Sequence, residues 1–176
     1  LEKKELSIDN LYLVASYKSA GKKISFKGKE HEVFDLENFD FSKVKIAFFA
    51  AGGKISEKFA EKAAKHCLVI DNSSFYRMDP DVPLIVPQVN SNHLDQIKKN
   101  IIANPNCSTI QLMLPLKPLH DKYKIKRIIV STYQAVSGAG KAAVDELFSQ
   151  TKDYLNTPIS KFGSRCEVSG KFIDKL

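Results

Sequence analysis

Ile101-Ile102-Ala103-Asn104-Pro105-Asn106-Cys107-Ser108-Thr109-Ile110-Gln111-Leu112-Met113-Leu114 is the stretch that decides the fold class. The first three residues form an apolar run, Asn-Pro marks a turn, and Ser108 and Thr109 lead into a second apolar run long enough for a helix. A strand that gives way to a helix is the repeating unit of an open α/β sheet, and such sheets gather their ligands at the carboxyl edge of their strands. Cys107 falls at that edge and opens the helix. The unpaired N–H groups of a first helical turn and the positive end of the helix dipole favour a thiolate there. A lone free cysteine is otherwise a small buried hydrophobe; the position at a strand-to-helix turn favours the nucleophile.

Working outward, strands and helices alternate. Leu11-Tyr12-Leu13-Val14-Ala15 reads as a first strand. Ile24-Ser25-Phe26 and His31-Glu32-Val33-Phe34-Asp35 read as a hairpin joined through Lys27-Gly28-Lys29-Glu30, with Gly28 supplying a positive φ. Lys45 to Ala51 is apolar nearly throughout, the pattern of a strand covered on both faces, and Gly52-Gly53 ends it. Phe59, Ala60, Ala63 and Ala64 recur at helical spacing between Ser56, an expected N-cap, and Cys67. Leu68-Val69-Ile70, Leu84-Ile85-Val86 and Ile101-Ile102-Ala103 follow as strands. Pro115 and Pro118 should kink or stop the Cys107 helix before Lys124. The β-branched run Ile125 to Tyr133 is expected as a strand delivering Gln134, and Ala142, Ala143, Val144, Leu147 and Phe148 stripe a helix ending near Leu155, before Pro158. Ile159 to Leu176 shows no periodicity. The expected fold class is therefore α/β, a mostly parallel Rossmann-like sheet with flanking helices.

Composition sets bounds. The 176 residues are 43% hydrophobic and 27% charged, enough for one substantial core. The longest apolar runs, Ile46 to Ala51 and Ile110 to Leu116, are too short to span a bilayer. No cleavable signal pattern is found, so a cytoplasmic protein without membrane partners is expected. Cys67, Cys107 and Cys166 form no C-x-x-C pair, which indicates neither a disulfide framework nor a metal site. The net charge of +7 suits phosphate-bearing small molecules. Its lysines are scattered, without the aromatic-flanked basic stripe of a nucleic-acid binder.

Asn104-Pro105-Asn106-Cys107-Ser108-Thr109 followed by Ser131-Thr132-Tyr133-Gln134-Ala135-Val136-Ser137-Gly138-Ala139-Gly140 closely resembles aspartate-semialdehyde dehydrogenase. Ala15 to Gly21, Asp71 to Met78 and Asp81 to Asn90 fit the same family in order, and the resemblance covers about Leu1 to Leu155. It implies an NADPH-dependent reductive dephosphorylation of β-aspartyl phosphate to aspartate semialdehyde, in the synthesis of lysine, threonine and methionine. Cys107 would be the nucleophile, displacing phosphate to leave a thioester, and Gln134 would hold the acyl group. Arg77 would bind the substrate phosphate, with Asn72 adding a neutral hydrogen bond. Ser16, Lys18 and Ser19 match the segment for the adenosine 2′-phosphate of NADP, with lysine where arginine is frequent. Ala51, Gly52, Ser137 and Gly138 match backbone contacts to the cofactor; Ala50 stands where serine is common. A homodimer is implied.

The family's glycine-rich turn and its acid/base histidine are not found. Leu1 to Leu6 reads as the end of a first helix. His120 shares the Cys107 helix but lies thirteen residues along it, roughly 20 Å at about 1.5 Å per residue. His31, His66 and His93 have no catalytic placement either. The expected division is a partial NADP-binding domain over 1–106, the start of a catalytic and dimerisation domain over 107–158, and an unassigned stretch over 159–176. Two other readings stand beside the reductase. One is a catalytically inert dimerisation or interaction domain. The other is a relative of N-acetyl-glutamyl-phosphate reductase, whose cysteine is usually preceded by glycine where Asn106 stands here.

Overall fold

The computed structural model describes residues 8–156. The readings placed on Leu1 to Leu6, on Pro158 and on Ile159 to Leu176, Cys166 included, lie outside the described residues. The chain divides into two compact units, 1–125 and 126–176, each taken by itself.

The first unit opens with a three-stranded sheet of β1 (Leu13–Ala15), β2 (Lys23–Phe26) and β3 (Lys29–Asp35), in the order β1-β3-β2. β1 runs parallel to β3, and β2 pairs with it antiparallel. The β2–β3 turn is two residues long, Lys27 at φ 49° and Gly28 at φ 74°. Two consecutive positive φ values give a turn whose twist matches that of the flanking strands. A second sheet follows: β4 (Ile46–Phe49), β5 (Leu68–Asp71) and β6 (Ile101–Ala103), all parallel, in the order β4-β5-β6. Tilted, edge-on and, between Phe41 and Phe49, stacked ring contacts run from Tyr12 through Phe34, Phe39 and Phe41 to Phe49, linking β1 and β3 to β4 across the intervening loop.

Helix α1 (Gly53–Ala64) crosses from β4 to β5 and buries Phe59, Ala60, Ala63 and Ala64 against Val69, Ile101 and Ala103. Three alanines let its axis approach the sheet closely, and Phe59 fills the space between. Burying that ring contributes on the order of 2–3 kcal/mol. Beyond β5, Pro87 opens a single helical turn, α2 (Pro87–Asn90), and β6 then leads through Asn104-Pro105-Asn106 into α3 (Cys107–Tyr123). The second unit holds a short 3-10 turn over Val136–Ala139 and helix α4 (Lys141–Leu155).

Four local expectations need correction. Ser56 is not the N-cap of α1: the helix begins three residues earlier, at Gly53, with Gly52 at φ 94° as its N-cap, and Ser56 is wholly buried within it. The β4 strand is not covered on both faces, because only Ala47 and Phe49 face α1 while Ile46 is 50% and Phe48 62% exposed. Leu84 forms one parallel bridge to Ala103 rather than a strand, since Pro83 and Pro87 bracket it and limit its ladder bonds. Ile125 to Tyr133 forms no strand among the described residues, with Ile129 84% exposed. A β-branched run becomes a strand only where a neighbour takes its hydrogen bonds. In α3, Pro115 and Pro118 sit inside the helix, each withdrawing the N–H that the carbonyl four residues earlier would otherwise receive. The helix ends at Tyr123, where Lys124 adopts φ 57° and donates its N–H to the His120 carbonyl at 2.8 Å.

Candidate active site

The parallel register of the second sheet aligns Phe49, Asp71 and Ala103, the last residues of three strands, side by side. Everything that follows them in the chain therefore leaves from one edge: Ala50-Ala51-Gly52 after β4, Asn72 after β5, and Asn104 to Cys107 after β6. Main-chain bonds continue one step beyond the strands, from Asn72 N–H to the Phe49 carbonyl and from Asn104 N–H to the Asp71 carbonyl, both 2.8 Å.

Asp71 anchors that edge. It is fully buried, and its two oxygens accept from Ser56 Oγ at 2.7 Å, Ser73 N–H at 3.0 Å and Ser73 Oγ at 2.8 Å. Ser73 Oγ in turn accepts from Phe75 N–H at 3.1 Å. A buried carboxyl satisfied this way fixes the turn after β5, because leaving any of these bonds unmade inside the core is costly. The turn launches a 3-10 segment, Phe75–Met78, that carries Arg77. Tyr76, buried beside it, has its phenol pushed up to about 12 by burial and by the nearby carboxylates of Glu61, Asp71, Asp79 and Glu57. Lys99 donates to Asp79 at 2.9 Å and Lys98 to Asp81 at 2.8 Å, tying the segment after Arg77 to the approach to β6. The bond from Lys99 holds Asp79 below its usual range.

Arg77 is held by main chain alone. Its Nε donates to the Asn104 carbonyl at 3.0 Å and its Nη2 to the Asn72 carbonyl at 3.2 Å. Neither acceptor carries charge, and among the described residues no carboxylate forms an ion pair with it. A guanidinium has five N–H donors, so most of the fork and all of its charge stay available to an anion. Asn104 Nδ2 also donates to Asn72 Oδ1 at 2.6 Å. Two residues on, Asn106 caps α3 through Oδ1, which accepts from Ser108 N–H at 3.0 Å and Ser108 Oγ at 2.6 Å. Cys107 Sγ lies 3.8 Å from the same oxygen, and the thiol is exposed, whereas Cys67 is buried with Sγ 3.3 Å from the Ala63 carbonyl. Burial pushes the Cys67 thiol up, away from reactivity.

The other expected site residues fall in three places. Ser16, Lys18 and Ser19 form the turn after β1, where the Ser16 carbonyl accepts from Ser19 N–H at 2.8 Å and Ala20 N–H at 3.2 Å; Ser16 and Lys18 are exposed and Ser19 is half-buried. Ala51 and Gly52 precede α1. A Cβ on Gly52 would meet nothing within 4 Å, and no side chain caps this helix, so the space over its first N–H groups is open. Gln134, Ser137 and Gly138 belong to the second unit, at the start of the Val136–Ala139 turn, where Gly138 N–H donates to the Ala135 carbonyl at 2.9 Å. Among the described residues no cluster of His, Cys, Asp or Glu could hold a metal, and no helix is long and apolar enough to cross a membrane.

Sequence reasoning missed the supporting residues Asp71, Ser56 and Asn104. An Asp followed two residues later by Ser is a turn signature that points to the first; nothing in the pattern marks the tie between Asn104 and Asn72.

Two family models match this chain. One, described as "Semialdehyde dehydrogenase, NAD binding domain", matches residues 1–97, and the other, "Semialdehyde dehydrogenase, dimerisation domain", matches residues 116–167, past the point near Leu155 where the sequence resemblance ended. An aspartate-semialdehyde dehydrogenase of Legionella pneumophila is 50% identical over 158 residues, 89% of this chain and 46% of that protein. One from Aquifex aeolicus is 55% identical over 155 residues, 86% of this chain and 46% of the relative. The chain thus spans about half the length of the curated relatives it matches. Among solved structures, aspartate semialdehyde dehydrogenase II from Vibrio cholerae, complexed with ASA, superposes with a TM-score of 0.80 at 50% identity, over 88% of this chain and 47% of that one. The Candida albicans enzyme with NADP gives 0.55 at 30% identity, over 65% and 40%. An α/β edge carrying an exposed thiol and a guanidinium held by main-chain carbonyls, and a family model matching more than half the residues, lead to one conclusion: the chain belongs to the semialdehyde dehydrogenase family.

Proposed function

We propose that this chain carries the nucleophile half of an aspartate-semialdehyde dehydrogenase, which reductively dephosphorylates β-aspartyl phosphate with NADPH in aspartate-family amino-acid synthesis. Residues 1–106 supply part of the cofactor-binding domain and 107–158 the start of the catalytic and dimerisation domain, through which a cytoplasmic homodimer forms. The observation that carries the reading is the presence, on one sheet edge, of exposed Cys107 and of Arg77, a cation anchored, among the described residues, by the Asn72 and Asn104 carbonyls.

The residues act in sequence. Arg77 binds the phosphate of the acyl phosphate, and the exposed Asn72 amide adds a neutral bond. The Cys107 thiolate attacks the acyl carbon; a C–S bond forms, the C–O bond to phosphate breaks, and phosphate leaves with the electron pair toward Arg77. The product is a thioester on Cys107; the role of Gln134 in holding the acyl group is carried over from the family resemblance alone. The first unit's residues fit a nicotinamide dinucleotide: Ala51 and Gly52 leave open space over the first N–H groups of α1, and Ser16, Lys18 and Ser19 offer a cation and hydroxyls to a 2′-phosphate, while Ser137 and Gly138 in the second unit are carried over from the family resemblance alone. When bound, that cofactor supplies the hydride that reduces the thioester.

The test is phosphate-dependent reduction of NADP by aspartate semialdehyde, compared between the chain and Cys107→Ala. Activity lost in the variant supports the reading, and equal activity removes the thiol from the mechanism.

A further inference from the structure

The site described above leaves one contact without a role. Asn104 Nδ2 donates to Asn72 Oδ1 at 2.6 Å, while the carbonyl of the same Asn104 receives Arg77 Nε at 3.0 Å. Both bonds start from a residue three positions ahead of the nucleophile. An amide has one acceptor oxygen and one two-donor nitrogen. With the Asn72 oxygen engaged by Asn104, its nitrogen faces away from that contact and presents only donors. An unrestrained amide on an exposed residue turns either end outward, and the oxygen end repels an anion.

We propose that Asn104 is a positioning residue for the anion site: its side chain holds the Asn72 amide with the donor end outward, while its carbonyl aims Arg77. This rests on the reading of Arg77 and Asn72 as the phosphate-binding pair. One residue thereby sets both donors and couples them to the loop that carries Cys107.

The ligand for the test is inorganic phosphate, titrated calorimetrically into the 176-residue chain, into Asn104→Ala, Asn72→Ala and Arg77→Ala, and into the Asn72→Ala/Asn104→Ala double variant. Thermal midpoints are measured in parallel. Asn104→Ala is expected to weaken phosphate about tenfold, the worth of one hydrogen bond to an anion. In the Asn72→Ala background the same substitution should cost little, because its effect passes through that amide. The 1H–15N resonances of the Asn72 side-chain NH2 should shift with phosphate in the parent chain and not in Asn104→Ala. An equal loss in both backgrounds, or no loss in either, overturns the positioning role while Arg77-dependent binding preserves the phosphate site. Absence of Arg77-dependent binding in the parent chain overturns both.

Discussion

At the scale of single residues, two free thiols in the described chain have opposite surroundings. Cys67 is packed behind α1 and Cys107 stands exposed at the opening of α3. Brief treatment with iodoacetamide, followed by peptide mass mapping, should alkylate Cys107 well before Cys67; the reverse order would remove the basis for calling Cys107 reactive. Tyr76 gives a second residue-level outcome. Its phenol is raised from 10.0 to about 12, chiefly by burial, so the neutral form is favoured in the folded protein. Its contribution is whole below pH 10.0 and is lost as the pH rises through that value toward about 12, because the unfolded chain ionises first. Denaturant midpoints should therefore fall across this window, and Tyr76→Phe should flatten the fall. An identical slope in the variant would place the alkaline sensitivity elsewhere.

At the scale of elements, the strand-to-helix turns carry the site, and their supports are buried. Asp71 holds the turn after β5 through Ser56 and Ser73, so Asp71→Ala strands two buried hydroxyls and should cost about 2–4 kcal/mol in chemical denaturation. Phe59→Ala empties the space between α1 and the sheet and should cost about 3–5 kcal/mol. Gly52→Ala forces a side chain to φ 94° and should cost about 1–2 kcal/mol, although no atom obstructs the new methyl. Much at this scale was legible in the sequence. The alanine spacing of α1, the Asn-Pro turn ahead of Cys107 and the Gly28 hairpin are local patterns with local causes. Ser56 misled because a serine before an apolar stripe resembles a cap, whereas here its hydroxyl serves a carboxyl fifteen residues away. Ile125 to Tyr133 misled because β-branched composition reports a tendency and pairing needs a neighbour.

At the scale of the whole molecule, the family was legible mainly through two short blocks, around Cys107 and around Gln134; the dimerisation-domain match covers the second, and the first lies between the two matched ranges. Arg77 was singled out in the sequence, but its anchoring was not, since main-chain acceptors leave no trace in residue identity. The central claim is that Cys107 is acylated beside an anion site built by Arg77. Incubating the chain with β-aspartyl phosphate, with no cofactor present, and mapping adducts by mass spectrometry tests it most directly. The account predicts a hydroxylamine-labile aspartyl adduct on Cys107, absent in Cys107→Ala and formed at least about tenfold more slowly in Arg77→Ala. Acylation spread over surface lysines with Cys107 unmodified, or a Cys107 adduct formed equally fast without Arg77, would contradict it.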